Sequence, residues 1–454
     1  MIAARRLQRS FADGLIAEEV QDLWEPWMKH ADEALHDDRL LEIIQAELSK
    51  RCKKSKTRGR PSTTAEVVLR MLLLKHMRGW SYEDVTREVR ADLVYREFTG
   101  VGGGKVPDDK TMGRLARQLG SDAIEQLHRR TVEIALEKQV VTGRRMRVDT
   151  TVVETNIHYP TDSTLMGDGV RVLTRVMKKA AAAAAEAGVK FRDRSRSVKR
   201  SILEIVYAAR NKSEKGQEKM KAGYRKLLEA TSRVAGQAQE FSGVIAGKAK
   251  QQLDEMIPRV QQAMKQARAR VLGGNTRTDN KILSMFEPDT EVIRKGKASK
   301  PTEFGKMVKI QEAENQIVTH FEVFDRRPSD SDLLTPSIEK HKELLDRVPD
   351  LVAADAGFFS AANEAAAQQL GVKRIAVPSR STKSEKRKRE QKKPWFKKAQ
   401  KWRTGCEGRI SVLKRRHGLN RSRYKGTQGM KRWVGLGVMA DNMINIGIHL
   451  ASER

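Results

Sequence analysis

The stretch Arg144-Arg145-Met146-Arg147-Val148-Asp149-Thr150-Thr151-Val152-Val153-Glu154 constrains the chain more than any other. Its β-branched residues alternate as a strand does, and one carboxylate sits inside it. An aspartate flanked by Val and Thr costs stability unless water, a hydrogen bond or a cation satisfies it. Asp149 therefore reads either as an edge-strand residue facing solvent or as a functional acid.

Charge narrows the choice. The 454 residues hold 89 Lys and Arg against 58 Asp and Glu, a formal net charge of +31. Such an excess predicts a polyanionic partner, nucleic acid before an anionic membrane surface. No apolar run reaches the roughly 20 residues of a bilayer span, and the polar N-terminus has no apolar signal core. The chain thus reads as cytoplasmic and nucleoid-associated, with no membrane partner. Its length suggests two or three domains. With only 5% aromatics, the core must rest on aliphatic side chains. Cys52 and Cys406 build neither a disulfide framework nor a zinc cluster, and both read as reduced and structural. Met1 and a periodicity sustained to Leu450 read as a complete product.

Residues 1–140 pattern as helices. After a basic linker, Lys50 to Arg60, and Pro61, an apolar run from Val67 to Met77 ends at Gly79, and Ser81 with Glu83 and Asp84 opens a second helix. Val85 and Val89 take one side of it, and Arg87 and Arg90 the other. This pair, near 65–90, is either a helix-turn-helix DNA reader or a plain helical hairpin; hairpins are the commoner, and the positive charge narrows that gap. Gly102-Gly103-Gly104 lacks the Lys-Ser/Thr ending of a phosphate loop and reads as a connector.

The first strand is followed by a long helical insertion, 168–279, in which Pro258 should break or bend a helix. Strand character resumes at Phe304–Ile310 and Ile317–Phe324, an antiparallel hairpin. Leu351-Val352-Ala353-Ala354-Asp355-Ala356-Gly357 is an apolar strand ending on a carboxylate, Ser360 caps the next helix, and Val372 to Val377 is the final strand. The expected organisation is α/β over 141–167 and 280–425, with a C-terminal helix over 426–454. Residues 383–403 carry eleven Lys or Arg against two Glu, with Trp395, Phe396 and Trp402 interleaved. They read either as a solvated charged tract or as a DNA-contacting basic loop that includes Lys392, Lys393, Lys397 and Lys398.

Acids that end apolar strands in so basic a chain are informative, and Asp355 is one. A third candidate is Glu407, which shares a helical face with Arg403 and Lys414. Alone it could be one member of a surface ion-pair row, but Gly405 and Gly408 beside it favour close approach of a backbone or ligand. Glu154, Asp162, Asp168 and Asp350 fit less well.

Together, Asp149, the 156–163 stretch, Lys295-Gly296-Lys297 with Glu303-Phe304-Gly305, Asp355-Ala356-Gly357, and Arg403 with Glu407 and Lys414 resemble the DDE transposases of bacterial insertion sequences. The resemblance covers about residues 60–450. It implies an RNase H-like mixed-sheet catalytic domain with a long α-helical insertion, preceded by an all-α DNA-binding domain that recognises terminal inverted repeats. It also implies that Asp149, Asp355 and Glu407 converge to hold two Mg²⁺ ions, for which Mn²⁺ would substitute. Arg403, Lys414 and Arg409 would contact DNA phosphates. Related enzymes often carry Tyr three residues before the arginine, where this chain has Gln400. The implied activity is cleavage and strand transfer on double-stranded DNA, both element ends and target, by a homo-oligomer. The competing readings are an RNase H-like nuclease or resolvase without strand transfer, and a non-catalytic basic DNA-binding protein.

Overall fold

The structure, a computed structural model, describes residues 3–5, 19–50, 63–294, 302–380 and 382–453. Cys52, the tract from Arg51 to Pro61 and Lys295-Gly296-Lys297 lie outside the described residues. The chain forms two compact units: residues 1–155 with 292–454, and residues 156–291.

The first unit holds a mixed sheet. Its strands are β1 (Arg145–Glu154), β2 (Glu291–Ile293), β3 (Glu303–Glu312), β4 (Val318–Val323), β5 (Leu351–Ala354) and β6 (Arg374–Ala376). The order runs β6-β5-β1-β3, and β3 pairs further with both β2 and β4. β1 is antiparallel to β3, which is antiparallel to β4, while β5 lies parallel to both β1 and β6. β1 is therefore an interior strand, which removes the edge-strand reading of Asp149. Gly305 lets β3 approach: a Cβ there would lie 2.8 Å from the Glu154 Cα. The expected hairpin is β3–β4, and β2 is a short strand that the sequence pattern did not show.

The helical N-terminal segment packs into the same unit as the sheet, not apart from it. The helix Ala65–Met77 is buried along its whole length. Its core neighbours include Leu436, Met439, Ala440 and Met443 of the helix Gly426–Ser452. Thr64 caps the first helix, Gly79 turns the chain at φ +69°, and Ser81 with Asp84 forms a capping box on Tyr82–Ala91. Val85 and Val89 are buried, while Arg87 and Arg90 face solvent.

Gly426–Ser452 also has the length and hydropathy of a membrane span, contrary to the reading of the sequence, yet 72% of its apolar window is buried inside the protein. It is a core helix, apolar because it is covered.

The second unit is helical, with Asp162–Lys179, Ser195–Arg210, Glu214–Val244 and Gly247–Ala267 closing one aliphatic core around Leu173, Leu227, Val234 and Val260. Gly247–Ala267 runs through Pro258 without the expected break. Pro258 lies on the exposed side of that helix, so the carbonyl it leaves without a donor can be hydrated.

Candidate active site

β1 and β5 pair in register from Arg145 with Leu351 to Val148 with Ala354. Asp149 and Asp355 are the next residues on each strand, so the two aspartates leave the parallel pair at neighbouring positions. Side chains alternate along a strand, so Asp149 points to the same face as Arg147. Across that face lies the helix Pro394–Arg416, which carries Glu407.

Four contacts fix this helix to the sheet. Arg147 Nη1 donates to the Trp402 carbonyl, and its guanidinium stacks 4.8 Å from the Trp402 ring centroid. Gln400 Nε2 donates to the Ala354 carbonyl at 3.3 Å and to the Ala376 carbonyl. Gly405 supplies the clearance, since a Cβ there would press into the Arg147 guanidinium, 3.1 Å from Cζ. Gly408, by contrast, faces open space.

Arg403 joins two of the acids. Its Nη2 lies 2.9 Å from Glu407 Oε1, and its Nη1 lies 3.7 Å from Asp149 Oδ2. The Arg403 side chain is 13% exposed, Asp149 19% and Glu407 56%. The Nε and Nη1 of Arg403 are buried without a hydrogen-bond partner among the described residues. Asp149 Oδ1 accepts the Thr150 backbone N–H at 2.7 Å. Asp355 is half exposed, with Arg380 at 3.5 Å.

The site is ringed by groups that burial perturbs. Burial pushes the Cys406 thiol up, and the nearby Glu312 and Asp149 carboxylates add to it, so this cysteine stays a thiol. Burial likewise raises Glu312 against the downward pull of Arg147.

Among the described residues, no three of His, Cys, Asp and Glu surround a common point as a metal requires. Arg403 occupies the place between Asp149 and Glu407. The donor set nevertheless suits a hard divalent cation: carboxylate oxygens only, two of them at adjacent strand ends. In the chemistry of their donors the acids fit such an ion, although Arg403 stands between Asp149 and Glu407.

The other expected residues fall as follows. Lys414 is half-buried on the same helix. Arg409 is buried and bonded to Asp441 at 2.6 Å, so it braces two helices and does not face a phosphate. Lys392, Lys393, Lys397 and Lys398 are exposed, but they lie on or between the helices Glu385–Lys392 and Pro394–Arg416 and not in a loop. Pro394 opens the second of these helices at a position where a missing N–H costs nothing. Glu154 is paired with Arg421, Asp162 with Arg270, Asp168 with Arg171 and Asp350 with Lys373. Sequence reasoning missed Arg147 and Asp330. The Asp330 carboxylate accepts from Thr150 Oγ1 at 3.1 Å and abuts Gly357. An Arg two residues before the strand acid was the available signal for the first, and only the Asp330-Ser331-Asp332 turn for the second.

Comparison with known proteins finds two family matches. Residues 29–118 match a family described as "Transposase domain (DUF772)" and residues 365–446 one described as "Transposase DDE domain". These two matches support a DDE transposase of an insertion sequence. The DDE match takes in Arg403, Glu407 and Lys414, and the other match takes in the buried helix Ala65–Met77. A DDE domain implies an RNase H-like fold, and the chain has the mixed α/β build that this requires. A Rhizobium meliloti protein described as "Uncharacterized protein ORF8 in nfe locus" is 32% identical over 129 residues, 27% of this chain and 61% of that relative. The chain therefore spans less than two thirds of that relative's length. No solved structure matches the chain.

Proposed function

We propose that this transposase binds the terminal inverted repeats of an insertion sequence as double-stranded DNA, cuts at their ends and joins the freed ends to target DNA. The observation that supports it best is the β1–β5 register, which delivers Asp149 and Asp355 side by side beneath the helix bearing Arg403 and Glu407. Asp149, Asp355 and Glu407 would hold divalent metal, two Mg²⁺ with Mn²⁺ as substitute. Bound there, the metal would lower the pKa of a water or 3′-hydroxyl and stabilise the leaving oxygen.

The chain's own groups do the rest. Arg403 exchanges its carboxylate partners for a phosphate oxygen, which neutralises the strand backbone and releases Asp149 and Glu407. Lys414 adds a point charge along the same helix. The exposed lysines 392, 393, 397 and 398 hold the duplex against that face by sequence-independent attraction. Pairing two element ends requires at least two protomers, and the work takes place in the cytoplasm, where the DNA is.

The test is cleavage of a labelled duplex carrying the element's terminal repeat, with Mg²⁺, Mn²⁺ or EDTA. Wild type should nick at the repeat boundary only with metal. Asp149→Asn, Asp355→Asn and Glu407→Gln should each bind the duplex but not cut it. Cleavage retained by any of these variants removes that residue from the site. A 3′-end joining assay separates transfer from simple cleavage.

A further inference from the structure

The side chain of Lys75 points from the buried helix Ala65–Met77 into a cluster of aromatic rings. The residue is 4% exposed, and its ammonium lies 4.5 Å from the Trp433 ring centroid, 5.1 Å from Tyr82 and 6.0 Å from Tyr424. Lys309, buried to 2%, is answered by Glu322 at 2.9 Å. Lys75 has no such carboxylate among the described residues, and Arg423 adds like charge beside it. Burial first, and Arg423 second, pull its pKa down to about 7. A buried amine so placed, with no carboxylate beside it among the described residues, would be held in its charged form by an anion.

Two cavities open on it, of about 490 and 310 Å³, and both are lined by Lys75, Trp80, Arg423 and Trp433. The larger adds Arg117 and Arg432. Among the described residues neither cavity is lined by a carboxylate. The rings are held in place: Trp433 Nε1 donates to the Gly418 carbonyl at 2.8 Å, and the Tyr82 and Tyr424 hydroxyls bond to each other. Cations alone would suit any anion, and rings alone any apolar group. Both in one cavity of this size suit a planar base that carries a phosphate.

We propose that this cavity seats one nucleotide, its phosphate against Lys75, Arg117 and Arg423 and its base against the Trp80 and Tyr424 rings. Its source is a strand of DNA, and that part rests on the reading of the chain as a DNA-processing enzyme. The site is separate from the acids, since none of its lining residues belongs to the helix Pro394–Arg416 or to β1 and β5.

Photocrosslinking with 5-iododeoxyuridine tests it, because the excited base labels aromatic side chains it touches. The full chain is irradiated with a single strand carrying one such base, and separately with free 5-iododeoxyuridine monophosphate, and the labelled peptides are mapped. The strand should label Trp80, Tyr82, Tyr424 or Trp433, and the free nucleotide, lacking the flanking backbone, should label the same residues more weakly. Lys75→Met, and independently the exposed Arg423→Gln, should each lower that label about tenfold, as removing one charge-assisted hydrogen bond to phosphate does. Lys75→Met removes a buried charge, so the fold survives it. Pocket labelling by the free nucleotide but not by the strand, when the strand still binds elsewhere, keeps the site and overturns the strand as its source. Labelling of the strand elsewhere, with these four residues clean under both probes, overturns the pocket and leaves the transposase reading standing. Pocket labelling by the nucleotide with no strand binding anywhere overturns that reading instead.

Discussion

Arg147 and Glu312 face each other at a paired position of β1 and β3, their side chains 5% and 0% exposed, with Arg147 Nη2 donating to Glu312 Oε1. The same guanidinium holds the Trp402 carbonyl, so one buried ion pair ties the sheet to the helix that carries Glu407. Arg147→Met should cost about 3–5 kcal/mol, because it leaves the Glu312 carboxylate buried and unanswered. Arg147→Met with Glu312→Leu should recover most of that loss. Urea denaturation of both variants checks it, and equal losses would show that the pair is not the cause.

Arg403 bridges Asp149 and Glu407 and should act on cleavage more than on binding. Arg403→Ala should slow nicking about 10²- to 10³-fold, the usual loss for one charge-stabilising donor, while gel-shift affinity changes far less. A parallel loss of both would make it a binding residue only.

Acid should destabilise the first unit through its histidines. Burial holds His76, His128, His320 and His341 below their ordinary value, His128 down to about 4. Between pH 6.5 and about 4 the unfolded chain binds protons that the folded one refuses at His128, so stability falls as pH falls through that window. Melting temperature measured from pH 8 to 5 should decline, and His128→Gln should make the decline shallower.

Gly447 lets the helix Gly426–Ser452 touch the helix Pro26–Leu35, since a Cβ there would run into the Trp27 backbone. Gly447→Leu should cost about 1–3 kcal/mol by overpacking. Gly408→Ala should instead gain about 0.5–1 kcal/mol, because its site is open and helical. Chemical denaturation of the two variants should give shifts of opposite sign, and shifts of the same sign would refute the close approach at Gly447 or the open space at Gly408.

The four exposed lysines should show in the salt dependence of DNA binding. Replacing Lys392, Lys393, Lys397 and Lys398 by Ala should flatten the slope of log K against log salt by about 0.9 for each phosphate that these side chains neutralise. An unchanged slope would place the duplex elsewhere.

Local chemistry made much of this readable in advance. The β-branched run around Asp149, the Ser81–Asp84 cap, the Ser360 cap and the β3–β4 hairpin all follow from neighbours within a few residues. What escaped depends on partners far along the chain. Nothing near Arg409 announces Asp441, and nothing near Arg147 announces Glu312. The basic tract was read as a loop because charge density masks helix propensity, although Lys, Arg, Glu and Gln are good helix formers. The separate N-terminal domain was expected because the helical pattern stops at residue 140, whereas its core is closed by residues beyond 430.

That closure sets an order of events during synthesis. Met71, Leu72 and Leu74 share a cluster with Leu436, Met439 and Met443, which leave the ribosome some 360 residues later. At about 5–20 residues per second the early helices wait tens of seconds with an apolar face uncovered. A message cut short before codon 430 therefore yields a chain whose N-terminal core stays open, prey to proteases and chaperones before any later segment can close it.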